Sequence, residues 1–100
     1  MTARIVVAPE AEDQVRAIDS WWQRERPAAP GLFAEELAAS FVLLSNAPLA
    51  GRRYPHPTVS EVRRVLLRST RYHVYYRLHE NDVVILAVWS GVRGSGPDLK

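Results

Sequence analysis

Residues Val62–Val92 read VRRVLLRSTRYHVYYRLHENDVVILAVWSGV, and this stretch decides the fold. From Tyr72 to Leu78, apolar and polar residues alternate. Tyr72, Val74, Tyr76 and Leu78 share one face, and His73, Tyr75, Arg77 and His79 share the other. Period-two alternation of β-branched and aromatic residues marks a half-buried strand. His79-Glu80-Asn81-Asp82 supplies turn residues, and Val83–Trp89 follows as an almost wholly apolar strand. With a further strand ahead of Tyr72, the stretch predicts three antiparallel strands that present arginines.

Upstream, Arg4–Val7 is a short apolar strand. Pro9 suits the first turn of a helix, and Glu10, Glu12 and Asp13 complement its dipole. Ala11, Val15, Ile18 and Trp22 form one helical stripe, so the helix runs to about Glu25 and stops before Pro27. Pro27–Gly31 is a turn. A second helix carries Phe33, Leu37, Phe41 and Leu44 on its inner face and ends near Asn46, before Pro48. Leu49–Ser60 reads as a loop. The predicted class is α+β in the order β-α-α-β-β-β, an antiparallel sheet packed on an αα-hairpin, in a single domain over residues 1–100.

The last strand is apolar on both faces, with Val83, Ile85, Ala87 and Trp89 opposite Val84, Leu86 and Val88. Two helices cover one face of such a sheet. The other face then keeps an apolar patch, a partner site, unless the tail or the Leu49–Ser60 loop folds over it. Trp22 belongs to the core stripe. Trp21, one position off it, either caps the hairpin or meets a partner.

Charge is unevenly spread. The net charge is +2, yet residues 1–50 hold four arginines against seven acids, and residues 51–100 hold eight arginines and one lysine against four acids. A basic half suits a phosphate-bearing or acidic partner, and it equally suits a solvated sheet. There are no cysteines, which excludes disulfides and thiolate metal sites. The three histidines are scattered and show no metal-ligand spacing, so neither metal nor cofactor is expected. No run approaches the ~18 apolar residues that span a bilayer, and a cytoplasmic location without membrane contact is expected.

The phrases VRRVLLRSTRYHVYYRL and NDVVILAVWSGVR, with the hairpin WWQRERP…LFAEEL and its exit APLAG, resemble the ParE/RelE superfamily of toxins from bacterial type II toxin–antitoxin modules. The resemblance covers nearly the whole chain. It implies a toxin neutralised by a cognate antitoxin in a hetero-oligomeric complex. RelE-like members are ribosome-dependent mRNA endonucleases, and ParE-like members act on DNA gyrase. Aligned by that resemblance, Arg64 and Arg93 fall where RelE-like nucleases carry basic residues, and His73 where they carry an arginine. Leu66 falls in place of a second lysine and Leu99 in place of a tyrosine. Loss of a proton-transfer group typically costs about 10²–10⁴ in rate. The ParE-like branch is therefore expected, with no catalytic residue. In the nuclease alternative Arg64, His73 and Arg93 do the chemistry. A toxin-fold remnant that only binds a partner is a further alternative.

The arginines divide by strand parity. Arg63 and Arg64 point to opposite faces, and Arg64 shares its parity with Leu66 and Arg68. Arg52 and Arg53 lie on the preceding loop beside Tyr54. The expected target-binding set is Arg52, Arg53, Arg64, Arg68 and Arg93. The expected antitoxin-binding set is Val84, Leu86, Val88 and Trp89.

Overall fold

The computed structural model describes residues 2–92 and 94–99. Strand β1 (Arg4–Val7) leads into helix α1 (Pro9–Glu25) and helix α2 (Leu32–Asn46). Strands β2 (Arg52–Arg53), β3 (Arg63–Leu67), β4 (Tyr72–His79) and β5 (Asp82–Ser90) follow. Helix α1 starts with proline in its first turn beside Glu10 and Glu12, and α2 stops two residues before Pro48, as the sequence predicts. Among the described residues, no helix is long and apolar enough to cross a membrane.

The sheet order is β1-β5-β4-β3-β2. Two features differ from the sequence reading. Arg52–Arg53 is a two-residue strand against β3, with Arg52 opposite Arg64 and Arg53 opposite Arg63, where a loop was expected. β1 joins β5 in parallel, Ile5 opposite Val83 and Val7 opposite Ile85, so the sheet is mixed. A parallel neighbour needs a crossover, and the whole helical hairpin with the β2–β4 segment supplies it.

Both helices pack on one face. Ala11, Trp22, Phe33, Leu37 and Leu44 meet Leu67, Val74, Tyr76, Val83, Ile85 and Val88 in the main core. Burying each large apolar side chain there contributes about 1.5–3 kcal/mol. The indole Nε1 of Trp22 donates to the Tyr72 hydroxyl at 3.2 Å. Trp21 is partly exposed, and the Arg26 guanidinium lies 4.9 Å from its ring.

The back face is partly covered. Val59 and Val62 from the β2–β3 loop, and Leu99 from the segment after β5, bury Tyr75 and Ala87 with help from Tyr54, Leu86 and Trp89. The Trp89 indole donates to the Ser95 carbonyl at 2.9 Å. The expected open apolar face is thus reduced to the part of the sheet around Val84, and both the loop and the tail do the covering.

Strict alternation fails at one point. Tyr75 faces Ala87 but Tyr76 faces Ile85, which leaves Leu86 as an extra residue in β5. Such a bulge reverses the parity of everything beyond it. Val88 therefore turns under the helices, 1% exposed, and Ala87 and Trp89 turn to the back. The expected grouping of Val88 with Val84 and Leu86 is corrected accordingly.

The turn between β3 and β4 is held from below. Glu36 on α2 accepts hydrogen bonds from the Ser69 amide (2.8 Å), the Thr70 amide (3.0 Å) and the Thr70 hydroxyl (2.6 Å). Burial alone would raise the Glu36 carboxyl, but the bonds from Thr70 and Ser69 outweigh it and hold the group below the ordinary carboxylate value. A depressed folded pKa stabilises fully above the unfolded value, about 4.3, and that contribution is lost as pH falls through the folded value. Glu36→Gln is therefore expected to melt at lower temperature than the parent at pH 7. Below the folded pKa the two melting temperatures should converge. Thermal melts across pH 7 to 3 check this, and a gap that widens toward acid would contradict the clasp.

Candidate functional site

Four arginines converge at the β3 edge because of how the chain reaches β2. The Tyr76 hydroxyl, in the core, donates to the Pro48 carbonyl at 2.7 Å and accepts from the Gly51 amide at 2.9 Å. This fixes the chain just before Arg52. β2 then places arginine directly opposite arginine twice. Like charges at such positions oppose pairing. The structure separates them. Arg63, on the helix face, donates to the Gly51 carbonyl at 2.8 Å. Arg64, on the back face, stacks 4.9 Å from the Tyr54 ring and donates to the Tyr75 hydroxyl at 3.2 Å. Arg53 sits 3.9 Å from Glu61, a pair too exposed to contribute much. Arg52 is left exposed, and its side chain meets no hydrogen-bond or ion-pair partner among the described residues.

A cleft of about 690 Å³ opens beside it, lined by Leu43, Ala50, Arg52, Arg64, Val65, Leu66, Arg68, Arg71 and His73. Arg68 and Arg71 come from the β3–β4 turn that Glu36 clasps, and both are exposed. Of the expected target set, Arg52, Arg64 and Arg68 meet here. Arg53 does not, and Arg93 lies outside the described residues. Arg71 and Leu43 were missed. The signal for Arg71 was its place in RSTR, which puts two arginines at the ends of one tight turn.

His73 pairs with Leu66 on one side and Trp89 on the other, and its ring lies 6.0 Å from that of Tyr75. Burial, then the charges of Arg64 and Arg71, push its pKa below the ordinary histidine value. It is therefore neutral at pH 7 and adds no charge to the cleft. His56 accepts from the Thr58 and Val59 amides in its own loop. Among the described residues no group of three or more His, Cys, Asp or Glu side chains is placed to hold a metal ion.

A family model described as the ParE toxin of the type II toxin–antitoxin system parDE matches residues 5–93. The chain belongs to that family. The fold of this ParE-family toxin is also that of solved toxins. The chromosomal ParDE system from P. aeruginosa aligns with a TM-score of 0.72 at 16% identity, covering 89% of this chain and 96% of that one. The isolated E. coli RelE toxin aligns at 0.60 and 17% identity, covering 92% and 87%. A mutant of E. coli RelE in the free state aligns at 0.59 and 16%, covering 92% and 86%. No curated protein matches the chain.

Leu66 stands exposed in the cleft, and Leu99 is buried in the back-face cluster against Tyr75 and Ala87. Of the expected antitoxin contacts, Val84, Leu86 and Trp89 remain half-buried on the back face, and Val88 belongs to the core. Arg77 lies opposite Val84, and its Nε is buried without a hydrogen-bond partner among the described residues.

Proposed function

We propose that this type II toxin of the ParE/RelE superfamily acts on DNA gyrase by binding through the arginine cleft, not by hydrolysis. The observation that carries this reading is Leu66, an aliphatic side chain at the centre of the cationic cleft. RNA cleavage through a 2′-hydroxyl needs an acid and a base in addition to cations. Leu66 supplies neither, and Leu99 is sequestered. In our reading a cognate antitoxin binds the uncovered back face at Val84 and Leu86, with the rim of Trp89. It would offer an acidic group to the partnerless Nε of Arg77. The complex is cytoplasmic and hetero-oligomeric.

The second reading, ribosome-dependent mRNA cleavage with Arg64, His73 and Arg93, is favoured by one observation. His73 lines the arginine cleft together with Arg64 and Arg71, where its imidazole could exchange a proton. Induced expression without antitoxin separates the two. We expect filamentation and a DNA-damage response while mRNA stays intact at early times, and we expect His73→Ala to retain toxicity. Early cleavage of ribosome-bound mRNA, lost in His73→Ala, would establish the nuclease instead. A folded, well-expressed chain with neither effect would be a non-toxic, partner-binding remnant.

A further inference from the structure

β5 runs on past the end of β1. The two strands pair from Arg4 opposite Asp82 to Val7 opposite Ile85, and the Ala8 amide donates to the Ile85 carbonyl at 2.9 Å. Pro9 then turns the chain into α1. Beyond the bulge, β5 keeps a strand neighbour on its β4 side alone. There the Gly91 amide donates to the Arg71 carbonyl at 2.7 Å. Antiparallel pairs alternate between bonded and non-bonded, so Val88 and Ser90 turn their N–H and C=O groups away from β4. The Val88 amide points that way, donating to Oε1 of Gln14 on α1 at 2.8 Å. The Val88 carbonyl and the Ser90 amide come next along the same edge, and no group among the described residues bonds them there.

A cavity of about 410 Å³ lies along this edge. Sites for small molecules run from about 300 to 1,000 Å³. Gln14, Ala17 and Trp21 line it from α1, and Tyr72, Val88 and Ser90 from the sheet. None of the described residues that line it is charged. Trp21, off the core stripe and 37% exposed, supplies an aromatic wall. The cavity therefore combines a flat apolar surface with one backbone acceptor and one backbone donor, two residues apart on an extended strand.

We propose that this cavity binds an adenine base by its amino edge. The exocyclic amino group would donate to the Val88 carbonyl, and the adjacent ring nitrogen would accept from the Ser90 amide. The ring would lie against Trp21, since aromatic side chains stack bases of any sequence. The lining selects the occupant. A charged ligand would lose its hydration and gain no counter-charge. A partner strand would need the Val88 N–H for its ladder, and Gln14 already holds it. The base belongs either to a free nucleoside or to a single-stranded nucleic acid. The proposal rests on the end of β5 and not on gyrase being the target.

The test is isothermal titration calorimetry of the purified full chain with adenosine. Saturable binding is expected. N6,N6-dimethyladenosine lacks the amino hydrogens and should bind at least about tenfold more weakly, because the Val88 carbonyl is then left unpaired. Ala17→Leu fills the cavity with a good helix former and should weaken adenosine by a similar factor, with circular dichroism verifying the fold. A short single-stranded oligoadenylate that binds more tightly than adenosine would assign the base to a nucleic acid. Equal binding would assign it to a free nucleoside, and either result upholds the site. Equal binding of the dimethyl analogue would reveal a slot for any flat ring and overturn the proposal. Unchanged binding in a folded Ala17→Leu chain would place the ligand elsewhere and overturn it too. No binding of adenosine at millimolar concentration would overturn it outright.

Discussion

Replacing Arg52, Arg68 and Arg71 together by alanine is expected to abolish growth arrest and leave the fold intact. The three side chains are exposed and line one cleft. Exposed residues outside special contacts usually change stability within about 0.5 kcal/mol each, so the melting temperature should move by less than about 10 °C. Recognition is different, because truncating one central arginine costs about 2 kcal/mol or more in binding, roughly thirty-fold. Three such losses in one cleft remove target binding at any attainable concentration. Arg64 is left out of the set because its guanidinium also packs on Tyr54 and bonds Tyr75, so its loss would disturb the back-face cluster. Colony counts under induction, at matched protein level, measure the effect. Full toxicity in a folded triple variant would place the working surface elsewhere on the sheet.

The second large effect is expected from one methyl group. A Cβ at position 51 would lie 2.6 Å from the Tyr76 hydroxyl oxygen, 2.7 Å from its Cε1 and 3.0 Å from the Arg64 carbonyl oxygen. The Tyr76 ring is fully buried and cannot move aside. Gly51→Ala must therefore push out the segment before β2, breaking the bonds that the hydroxyl makes to Pro48 and Gly51. Overpacking costs about 1–3 kcal/mol, and stranded buried polar groups cost about 1–3 more. A total near 3 kcal/mol corresponds to a fall of about 15 °C in a domain of this size. Toxicity should fall as well, since Arg52 loses its anchor. Tyr76→Phe in the same chain removes the closest clash, so the double variant should be less unstable than the sum of the singles. Strict additivity in thermal melts would show that the crowding is not at the hydroxyl.

Much of this architecture was legible in local pattern. The stripe Ala11, Val15, Ile18 and Trp22 and the stripe Phe33, Leu37, Phe41 and Leu44 mark two helices whose faces are buried in the core. The alternation from Tyr72 to Leu78 marks β4. What was not legible depends on pairing between distant segments. The bulge at Leu86 exists only in the register of β5 against β4, so parity counted along β5 alone put Val88 on the wrong face. β2 is too short to carry a pattern of its own, and Tyr76, 25 positions after Gly51, holds it in place. The covering of Tyr75 by Val59 and Leu99 depends on two irregular segments that meet only in the folded state. Arg64 and Arg68 were found through parity. Arg71, at φ 68° in the turn, follows no strand rule.

The parallel pairing of β1 with β5 also bears on when this toxin becomes a toxin. Arg4 on β1 and Asp82 on β5 meet at 2.7 Å although 78 positions separate them. At about 5–20 residues per second, a translating ribosome holds the first strand unpartnered for several seconds before its neighbour emerges. The sheet cannot close, nor the main core form, until β5 has left the exit tunnel. Chains released early lack the strand on which β1, β4 and α1 all converge. Contacts of such long range also slow the final closure. That delay leaves a nascent chain time to meet an antitoxin already waiting in the cell, before the arginine cleft exists.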